Sequence, residues 1–530
     1  MDAHPLGRRV SPREVAVIGG GVSGLATAAL LAADGHRVTL LEAREAVGGR
    51  AGSWASAGFR FDTGPSWYLM PEVFEHFYRM LGTSTAKQLT LTPLDPGYRA
   101  YFEGDPTPFD LPAGREAARA ALTSLDPAAA RRLTRYFDSA ETTYGLALER
   151  FLYTSFESVR PMLDSEVLRR LPRLLSLLTR SLDREIRATT EEARLRRLLG
   201  YPAVFLGGSP LKVPSMYHLM THLDVNDGVL YPQGGFARVI ESFATLAEAA
   251  GVTILTGARA TRIVVERGRA RGVRVAHTDG TNSLIAADLV VATADLHHVD
   301  TELLEPEHRD RGPAWWARRD PGPGAVLAML GVRGAVPELA HHTLLLADDW
   351  EGAFDAVVGP RRGLPATPSI YIGKPSASDD TVAPPGDENL FVLVPVAANP
   401  RLGHGGIGGS GDAQIEAFVD LVVAQIADWT GACDLAERIV VRRTVAPGDF
   451  AHELNAWSGS ALGPSHTLRQ SAVLRAGNAS RRVAGLLYAG SSTIPGIGVP
   501  MCLISAELVL KRVRGDRSAA ALPEPTGAAR

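Results

Sequence analysis

Short apolar runs separated by glycines open the chain and predict parallel strands. Residues 15–18 form the first run, residues 37–42 form the second, and a longer stretch rich in Ala and Leu lies between them. Continuous apolar runs of this length are typical of buried parallel strands, whereas the longer stretch favours a helix. The pattern therefore predicts a strand, a helix ending at Gly35, and a second strand.

The spacing of apolar residues changes further along the chain. From about 116 to 199, Ala, Leu and Arg recur at helical spacing, which predicts a mainly helical region. After residue 231 the pattern predicts a helix over 237–250 and a return to strands. Strands are predicted at 252–255, 258–266, 272–277, 287–292, 325–330, 369–372 and 390–396, with a last strand after 485 that leads to a glycine-rich bend and an apolar helix over 501–513.

Glycines at the first strand-to-helix turn predict a dinucleotide site. Gly19 allows a tight turn, Gly21 lets the backbone approach a pyrophosphate, and Gly24 lets the helix pack closely against the strand. The helix N-terminus then offers unpaired N–H groups and a favourable dipole to the diphosphate. Glu42 follows about 20 positions later, where a carboxylate binds a ribose hydroxyl and repels a 2′-phosphate.

Two further glycine-rich segments have features of anion sites. Gly48 and Gly49 permit close approach of the backbone to a ligand, and Arg50 supplies a fixed cation suited to a diphosphate. Residues 485–500 repeat the order of strand, glycine-rich bend and helix N-terminus. The glycines of 403–411 lack a basic partner and a clear following helix, so a flexible loop is predicted there.

Composition excludes several classes of protein. The net charge is −3, so there is no electrostatic basis for binding nucleic acid. Cys433 and Cys502 are too few for a disulfide framework or a cysteine-based metal cluster, and reduced core thiols are predicted. Arg8 and Arg9 precede no apolar signal core, and no run of about 18 apolar residues occurs, so a cytoplasmic location is predicted, with any membrane contact peripheral.

Six motifs are spread over nearly the whole chain. They are Gly19–Gly24, Gly48–Arg50, Phe61–Ser66, Tyr231–Gly235, Phe450 with Leu454–Ala461, and Gly490–Pro500 leading to Ser505 and Ala506. Together they resemble bacterial-type carotenoid desaturases, the phytoene desaturase group of the amine-oxidase-like flavoproteins. Ser491, Ser492 and Ile494 differ from the usual residues of that group, which leaves the exact substrate and product open.

The resemblance implies FAD as cofactor and a long polyprenoid hydrocarbon as substrate, desaturated in carotenoid biosynthesis. Glu42 is implied on the adenosine ribose, and residues 490–499 against the ribityl chain and isoalloxazine. The implied cofactor-binding residues are Gly19, Gly21, Val22, Ser23, Gly24, Glu42, Ala43, Gly49, Arg50, Gly64, Pro65, Ser66, Gly490, Gly498, Val499 and Pro500.

The resemblance also fixes the predicted fold class. It is α/β, with a Rossmann-type FAD-binding domain of discontinuous segments, a mixed α+β substrate domain and a helical insert that faces a membrane. A chain of 530 residues is too long for one hydrophobic core. The predicted segments are 1–95, 229–312 and 483–515 for the FAD-binding domain, 96–228 for the substrate-binding helical insert, 313–482 for the second part of the substrate domain, and 516–530 for a disordered tail.

Desaturation removes a hydride from one carbon and a proton from its neighbour. Flavin N5 accepts the hydride, so the protein must hold the hydrocarbon and exclude water while a weak base or water takes the proton. No strong base is predicted, and the catalytic residues stay unknown, with Glu157, Arg160 and Asp164 as weak candidates against the alternative of solvated helix charges. Quinone and oxygen are both open as electron acceptors.

Two histidine pairs invite comparison with metal sites. His297 with His298 and His341 with His342 lack a third ligand at a suitable spacing. Surface or strand-end positions are predicted for them, and no metal is predicted.

A water-insoluble substrate has to be collected from lipid. Residues 168–182 alternate Leu and Arg in the manner of an interfacial helix, with more Arg up to residue 197. We expect this segment to dock on the cytoplasmic leaflet of the cell membrane, and a core-packed helix with a basic outer face is the alternative.

Other functions are compatible with the same motifs. A carotenoid isomerase, ketolase or saturase would use the same fold. A flavin amine oxidase would need a polar or aromatic pocket for an ammonium group. A non-catalytic prenyl-binding escort would keep the fold without needing flavin.

Overall fold

A computed structural model describes residues 11–157, 165–359 and 362–525. The strands are β1 (Glu14–Ile18), β2 (Arg37–Leu41), β3 (Ser53–Ser56), β4 (Phe59–Asp62), β5 (Leu91–Pro93), β6 (Tyr98–Phe102), β7 (Asp105–Leu111), β8 (Leu230–Pro232), β9 (Thr253–Leu255), β10 (Ala258–Glu266), β11 (Arg269–His277), β12 (Asn282–Ala286), β13 (Leu289–Ala292), β14 (Gly324–Val332), β15 (His342–Leu346), β16 (Ile370–Gly373), β17 (Glu388–Val396), β18 (Ile439–Val445) and β19 (Leu486–Tyr488).

The helices follow the predicted helical patterns. They are α1 (Val22–Ala33), α2 (Pro71–Met80), α3 (Thr85–Gln88), α4 (Arg115–Leu125), α5 (Ala130–Ala147), α6 (Ser165–Thr179), α7 (Leu182–Thr189), α8 (Ala193–Gly200), α9 (Met220–Val225), α10 (Gly235–Ala249), α11 (Leu296–His298), α12 (Pro313–Trp316), α13 (Trp350–Val358), α14 (Ala413–Thr430), α15 (Leu435–Arg438), α16 (Pro447–Leu454) and α17 (Val499–Arg514). The mainly helical region predicted from 116 to 199 corresponds to α4 to α8.

Five parallel strands form the sheet that carries the first glycine turn. Their order is β19-β13-β1-β2-β9, so β1 is a central strand. Residues 15–18 are buried on both faces, because α1, α10 and α17 cover one side of the sheet and the strands β10 and β11 pack against the other. The α/β class predicted from the apolar runs is confirmed.

A second, mixed sheet of seven strands has the order β18-β14-β17-β16-β15-β6-β7. Its strand β14 is buried along its whole length, and successive residues serve opposite faces. Val326 and Leu330 pack under α14, whereas Ala325 and Leu327 face the other core and a cavity. This sheet therefore forms one wall of the cavity.

Two segments that were predicted to be loose are anchored. The disorder predicted for residues 516–530 is wrong for the described part, 516–525, because Lys511 Nζ is buried and donates hydrogen bonds to the carbonyl oxygens of Ser518 at 2.9 Å and Ala520 at 2.6 Å. The glycine loop 403–411 is tied down as well, since the Gly405 N–H donates to Asp449 Oδ2 at 2.7 Å. Residues 526–530 lie outside the described part of the chain.

Among the residues with described structure, none of the helices combines the length and the apolar character needed to cross a membrane.

Candidate active site

The first strand ends in a glycine turn that leaves no room for side chains. Gly19 has a φ of +104°, and a Cβ on Gly24 would lie 1.8 Å from the carbonyl oxygen of Gly19. Helix α1 therefore starts directly against the turn, with Gly21 as its N-cap and no side chain capping its first N–H groups. Val22 and Ser23 line a cavity at this helix end, a geometry that favours an anion.

Glu42 ties the residue after β2 to the same turn. Its Oε2 accepts a hydrogen bond from the N–H of Gly20 at 2.7 Å, and its Oε1 accepts one from the N–H of Arg44 at 2.9 Å. The side chain is buried from bulk solvent but lines the cavity. A carboxylate in this position suits a ribose hydroxyl and opposes a 2′-phosphate.

Arg50 brings a cation to the cavity that the turn also lines. Its Nη2 lies 3.3 Å from the carbonyl oxygen of Ser460 and 3.9 Å from Asp295 Oδ2. A Cβ on Gly64 would lie 2.0 Å from the carbonyl oxygen of Arg50, so only glycine fits beside it. The Arg50 Nε is buried and has no hydrogen-bond partner among the described residues, which suits an anionic ligand.

Buried polar side chains hold the glycine segment 490–498. Asn478 donates from Nδ2 to the carbonyl oxygen of Ile494 at 3.0 Å, and Arg475 donates from Nε to that of Thr493 at 3.0 Å. Burial lowers the pKa of Arg475 to about 10, which leaves the guanidinium protonated at neutral pH. The segment is thereby fixed just before α17 begins.

His466 joins the same segment to the opposite wall of the cavity. Its Nε2 accepts a hydrogen bond from the N–H of Ile497 at 3.1 Å, so Nδ1 carries the hydrogen of the neutral ring and donates to Tyr217 Oη at 2.7 Å. Tyr217 in turn donates to Ser471 Oγ at 3.0 Å. Burial, with a further effect of Arg475, holds the pKa of His466 well below its ordinary value. The ring stays neutral, and both of its nitrogens are occupied.

A cavity of about 800 Å³ brings the predicted cofactor residues together. Gly24 lies behind the turn, where it packs against Gly19. The other predicted cofactor residues line the cavity: Gly19, Gly21, Val22, Ser23, Glu42, Ala43, Gly49, Arg50, Gly64, Pro65, Ser66, Gly490, Gly498, Val499 and Pro500.

Away from the glycines the cavity is largely apolar. Leu327 of β14, Leu393 of β17 and Tyr371 of β16 stand side by side across the seven-stranded sheet and form its floor. At the other end, apolar side chains line the cavity while being between 40% and 56% exposed; they are Leu171 and Leu175 of α6 with Leu468, Val473 and Leu474. We call these five residues the apolar mouth.

None of the candidate bases is among the residues that line the cavity, and two of them lie outside the described part of the chain. Glu157 is exposed and forms an ion pair with Arg512 of α17. Arg160 and Asp164 lie outside the described residues.

Several polar residues at or behind the cavity wall were not found from the sequence. His466 and Tyr217 line the cavity and bond to each other across 249 positions of the chain, and Arg475 lies behind the glycine segment; none of the three carries a recognisable motif. The surface position predicted for His341 and His342 is wrong, since both side chains are buried, whereas the alternative strand-end position is right for His342, which begins β15 of the seven-stranded sheet.

Two further sequence predictions concern single residues. The core position predicted for Cys433 is wrong, since this thiol is exposed, and Cys502 is only half-buried at the cavity. Within the described residues, no group of three His, Cys, Asp or Glu side chains could hold a metal ion.

We call the glycine turn 19–24, Glu42, Arg50 and the segment 490–500 the dinucleotide cradle. A parallel sheet that carries such a cradle defines a class of flavoproteins, and comparison with known proteins places the chain in the same class. The family model of flavin-containing amine oxidoreductases matches residues 22–513, and the chain belongs to this family. Within it, the chain is 40% identical over 498 residues to a carotenoid 3,4-desaturase of Haloarcula japonica, covering 94% of this chain and 97% of that protein.

Other relatives carry related names. A zeta-carotene-forming phytoene desaturase of Myxococcus xanthus is 31% identical, with 97% of this chain and 95% of that protein covered. A phytoene dehydrogenase of Streptomyces griseus is 32% identical, with 96% of each chain covered. A solved structure of putrescine oxidase with bound putrescine has a TM-score of 0.59 at 14% identity, covering 95% of this chain and 99% of that one, and this likeness shows the fold alone.

Proposed function

We propose that this protein is an FAD-dependent desaturase of a long polyprenoid hydrocarbon in carotenoid biosynthesis. The observation that carries the proposal is the continuity of the cavity, which runs from the glycine turn of β1 to the apolar mouth. The carotenoid and phytoene desaturases among the relatives support it, since they align over nearly the whole chain.

The residues of the cradle fit FAD. Gly19, Gly21 and the start of α1 would hold the diphosphate, with the unpartnered Nε of Arg50 nearby. Glu42 would accept a hydrogen bond from the adenosine ribose. Residues 490–500, fixed by Arg475 and His466, would border the ribityl chain and isoalloxazine.

Desaturation with a bound flavin does not require a strong acid or base from the protein. Bound flavin supplies the hydride acceptor, while the apolar floor orients the hydrocarbon and excludes water. The substrate carries no charge, so affinity comes from apolar burial, and about 10 buried methylene groups contribute roughly 8 kcal/mol before the cost of ordering the chain.

Pigment analysis in living cells tests the proposal. We would express the chain in one bacterium that accumulates phytoene and in another that accumulates an already conjugated acyclic carotenoid. A longer conjugated system shifts the absorption of the extract to the red in the host whose carotenoid is the substrate. A blue shift would indicate a saturase, an almost unchanged spectrum with altered retention an isomerase, and unchanged pigments in both hosts would contradict the proposal.

We also propose that the apolar mouth docks on the cytoplasmic leaflet of the cell membrane. Leu171 and Leu175 stand on the helical insert, and Val473 and Leu474 come from a separate segment beside it. Arg169 is exposed close to the mouth, whereas Arg173 is already bonded to Glu185 at 2.8 Å. Exposed apolar side chains with basic neighbours are typical of interfacial binding.

Vesicle sedimentation separates the apolar contribution to docking from the electrostatic one. The triple variant Leu175→Ser, Val473→Ser, Leu474→Ser should lose binding to neutral and anionic vesicles alike. Arg169→Glu should weaken binding to anionic vesicles only. Leu284→Ser is the matched control, because Leu284 is 55% exposed on β12, away from the mouth. Equal binding by the triple variant and this control would reject the docking surface.

Docking at a membrane also bears on reoxidation. A quinone dissolved in the bilayer could reach the cavity through the same mouth, and oxygen is the other acceptor proposed. Comparing reoxidation of the reduced protein by a quinone in vesicles with reoxidation by oxygen distinguishes the two.

A further inference from the structure

A phenol interrupts the apolar floor of the cavity. Tyr371 of β16 lies in register between Leu393 of β17 and Leu344 of β15, and it lines the cavity. A hydrocarbon offers no hydrogen bond to a hydroxyl, and burying a hydroxyl costs free energy unless the protein satisfies it. The hydroxyl of Tyr371 therefore needs partners within the protein.

Those partners form a short chain that leads away from the cavity. Tyr371 Oη lies 2.5 Å from Ser66 Oγ and 2.8 Å from His342 Nδ1. Ser66 lines the cavity beside Tyr371, whereas His342 is fully buried and stacks on Trp67 with 4.5 Å between the ring centroids. A hydroxyl placed between a second hydroxyl and an imidazole can pass a proton in either direction.

His342 is neutral at rest, and its Nδ1 is placed to receive the phenolic hydrogen of Tyr371 in passing, whereas both nitrogens of His466 are already engaged. The Nε2 of His342 is buried without a hydrogen-bond partner among the described residues. The ring can therefore carry its hydrogen on Nε2 without breaking a bond, which leaves Nδ1 as the acceptor that faces Tyr371 Oη. Burial, reinforced by His341, holds the pKa of His342 well below its ordinary value, and the ring is neutral. Both nitrogens of His466 are occupied, because Nε2 accepts the N–H of Ile497.

We propose that Tyr371 is the catalytic proton acceptor of the dehydrogenation and that His342 is its positioning residue, which receives the phenolic proton only transiently. The inference rests on the proposed function. A substrate C–H bond breaks, its proton goes to Tyr371 Oη, and the phenolic proton moves to Nδ1 of His342 in the tautomer that carries hydrogen on Nε2. The electron pair of that C–H bond forms the new double bond, and FAD, when bound, would supply the acceptor for the hydride of the neighbouring carbon, so that two electrons and two hydrogens leave the substrate in total.

The variant Tyr371→Phe keeps the ring and removes only the hydroxyl. On anaerobic mixing of the FAD-loaded protein with a carotenoid substrate in vesicles, bleaching of the flavin should slow by about 100-fold or more. Substrate binding, followed by quenching of tryptophan fluorescence, and flavin content should stay as in the native protein, whereas Tm should fall somewhat because Ser66 Oγ and His342 Nδ1 each lose a buried hydrogen-bond partner. The solvent deuterium isotope effect on bleaching should also disappear, which a structural role would not produce.

Tyr98→Phe is the matched control for the loss of a buried phenol. Tyr98 packs against Trp67 at 5.9 Å between ring centroids but is not among the residues that line the cavity. Its bleaching rate should stay within about twofold of native, whereas His342→Gln should slow bleaching by about tenfold or more.

The outcomes separate this inference from the function on which it rests. Native protein that no carotenoid substrate bleaches would overturn the proposed function. Native bleaching with Tyr371→Phe within about threefold of it would overturn the role of Tyr371 alone. Native-like bleaching by His342→Gln would overturn the part given to His342, and if that variant fails to fold, the isosteric Tyr371→Phe still decides.

Discussion

His466 accepts a hydrogen bond at Nε2 from the backbone N–H of Ile497, 3.1 Å away. This bond joins the loop before α17 to the segment of His466 and Ser471, and Tyr217 of a distant segment bonds to both of these residues. Because Ile497 borders the cavity, the position of one imidazole sets the shape of the wall that faces the proposed flavin.

Replacing His466 by Phe should weaken retention of flavin. The buried N–H of Ile497 would lose its acceptor, which costs about 1–3 kcal/mol. We expect a lower Tm and a lower ratio of flavin to protein after dialysis. Tyr217→Phe is the control, since it removes the neighbouring hydroxyl and leaves the bond to Ile497 in place. Equal flavin content in both variants would contradict the role given to His466.

Glu42→Gln should reduce flavin content without unfolding the protein. The amide offers only one acceptor oxygen where the carboxylate accepts from both Gly20 and Arg44, and it carries no charge. We expect about tenfold weaker cofactor binding, as for loss of a charge-assisted hydrogen bond of about 1.4 kcal/mol. Glu45→Gln, an exposed neighbour, controls for the change in net charge. Titration of the flavin-free protein with FAD measures both, and identical affinities would show that Glu42 does not touch the cofactor.

Gly24→Ala tests the close packing of α1 on the turn. The added methyl group would meet the carbonyl oxygen of Gly19 at 1.8 Å, so helix and turn must separate. We expect loss of bound flavin and a destabilisation of at least about 1–3 kcal/mol, as for overpacking. Gly145→Ala in α5 is the matched control, because its Cβ meets nothing within 4 Å and helical alanine is favoured over glycine. Urea unfolding of both variants gives the comparison.

The free energy of unfolding should depend on pH through His76, which contacts one carboxylate of α17 and one of the segment after it. Its Nε2 lies 3.0 Å from Glu507 and its Nδ1 lies 3.2 Å from Glu524. Burial by itself would lower the pKa of His76, but the two carboxylates outweigh it and raise the pKa above its ordinary value. This contribution is therefore complete below about pH 6.5 and is lost as pH rises through the higher pKa of the folded state.

The variant His76→Gln isolates the pH-dependent stabilisation that comes from the ion pairs of His76. The difference in free energy of unfolding between native protein and variant should shrink as pH rises from about 6 to about 9, because only the native protein loses a bound proton. Other buried histidines titrate equally in both proteins and cancel. A difference that stays constant over this range would contradict the ion pairs.

Local patterns were sufficient to predict the elements that build the cradle. The apolar runs before Gly19 and before Glu42 are short, continuous and bounded by glycine, and they form β1 and β2 of the parallel sheet. The helical region from 116 to 199 was predicted for the same reason, since its spacing of Ala and Leu is local. β12, by contrast, was missed, because its alternation is carried by only a few residues.

Contacts between distant residues could not be predicted. Tyr371 and His342 are 29 positions apart on two strands, and only the pairing of β15 with β16 brings them to 2.8 Å. Glu157 was chosen as a candidate base from its place in a helical region, but the partner that engages it, Arg512, is 355 positions away. Burial of single polar side chains depends on such pairings, which one sequence does not contain.

The order of the parallel sheet also bears on how the protein is made. β13 lies between β1 and β19, so the edge of this sheet remains unpaired until residues 486–488 have left the ribosome. Domains generally fold as units during translation, but here the nascent chain has to wait for one of its latest strands.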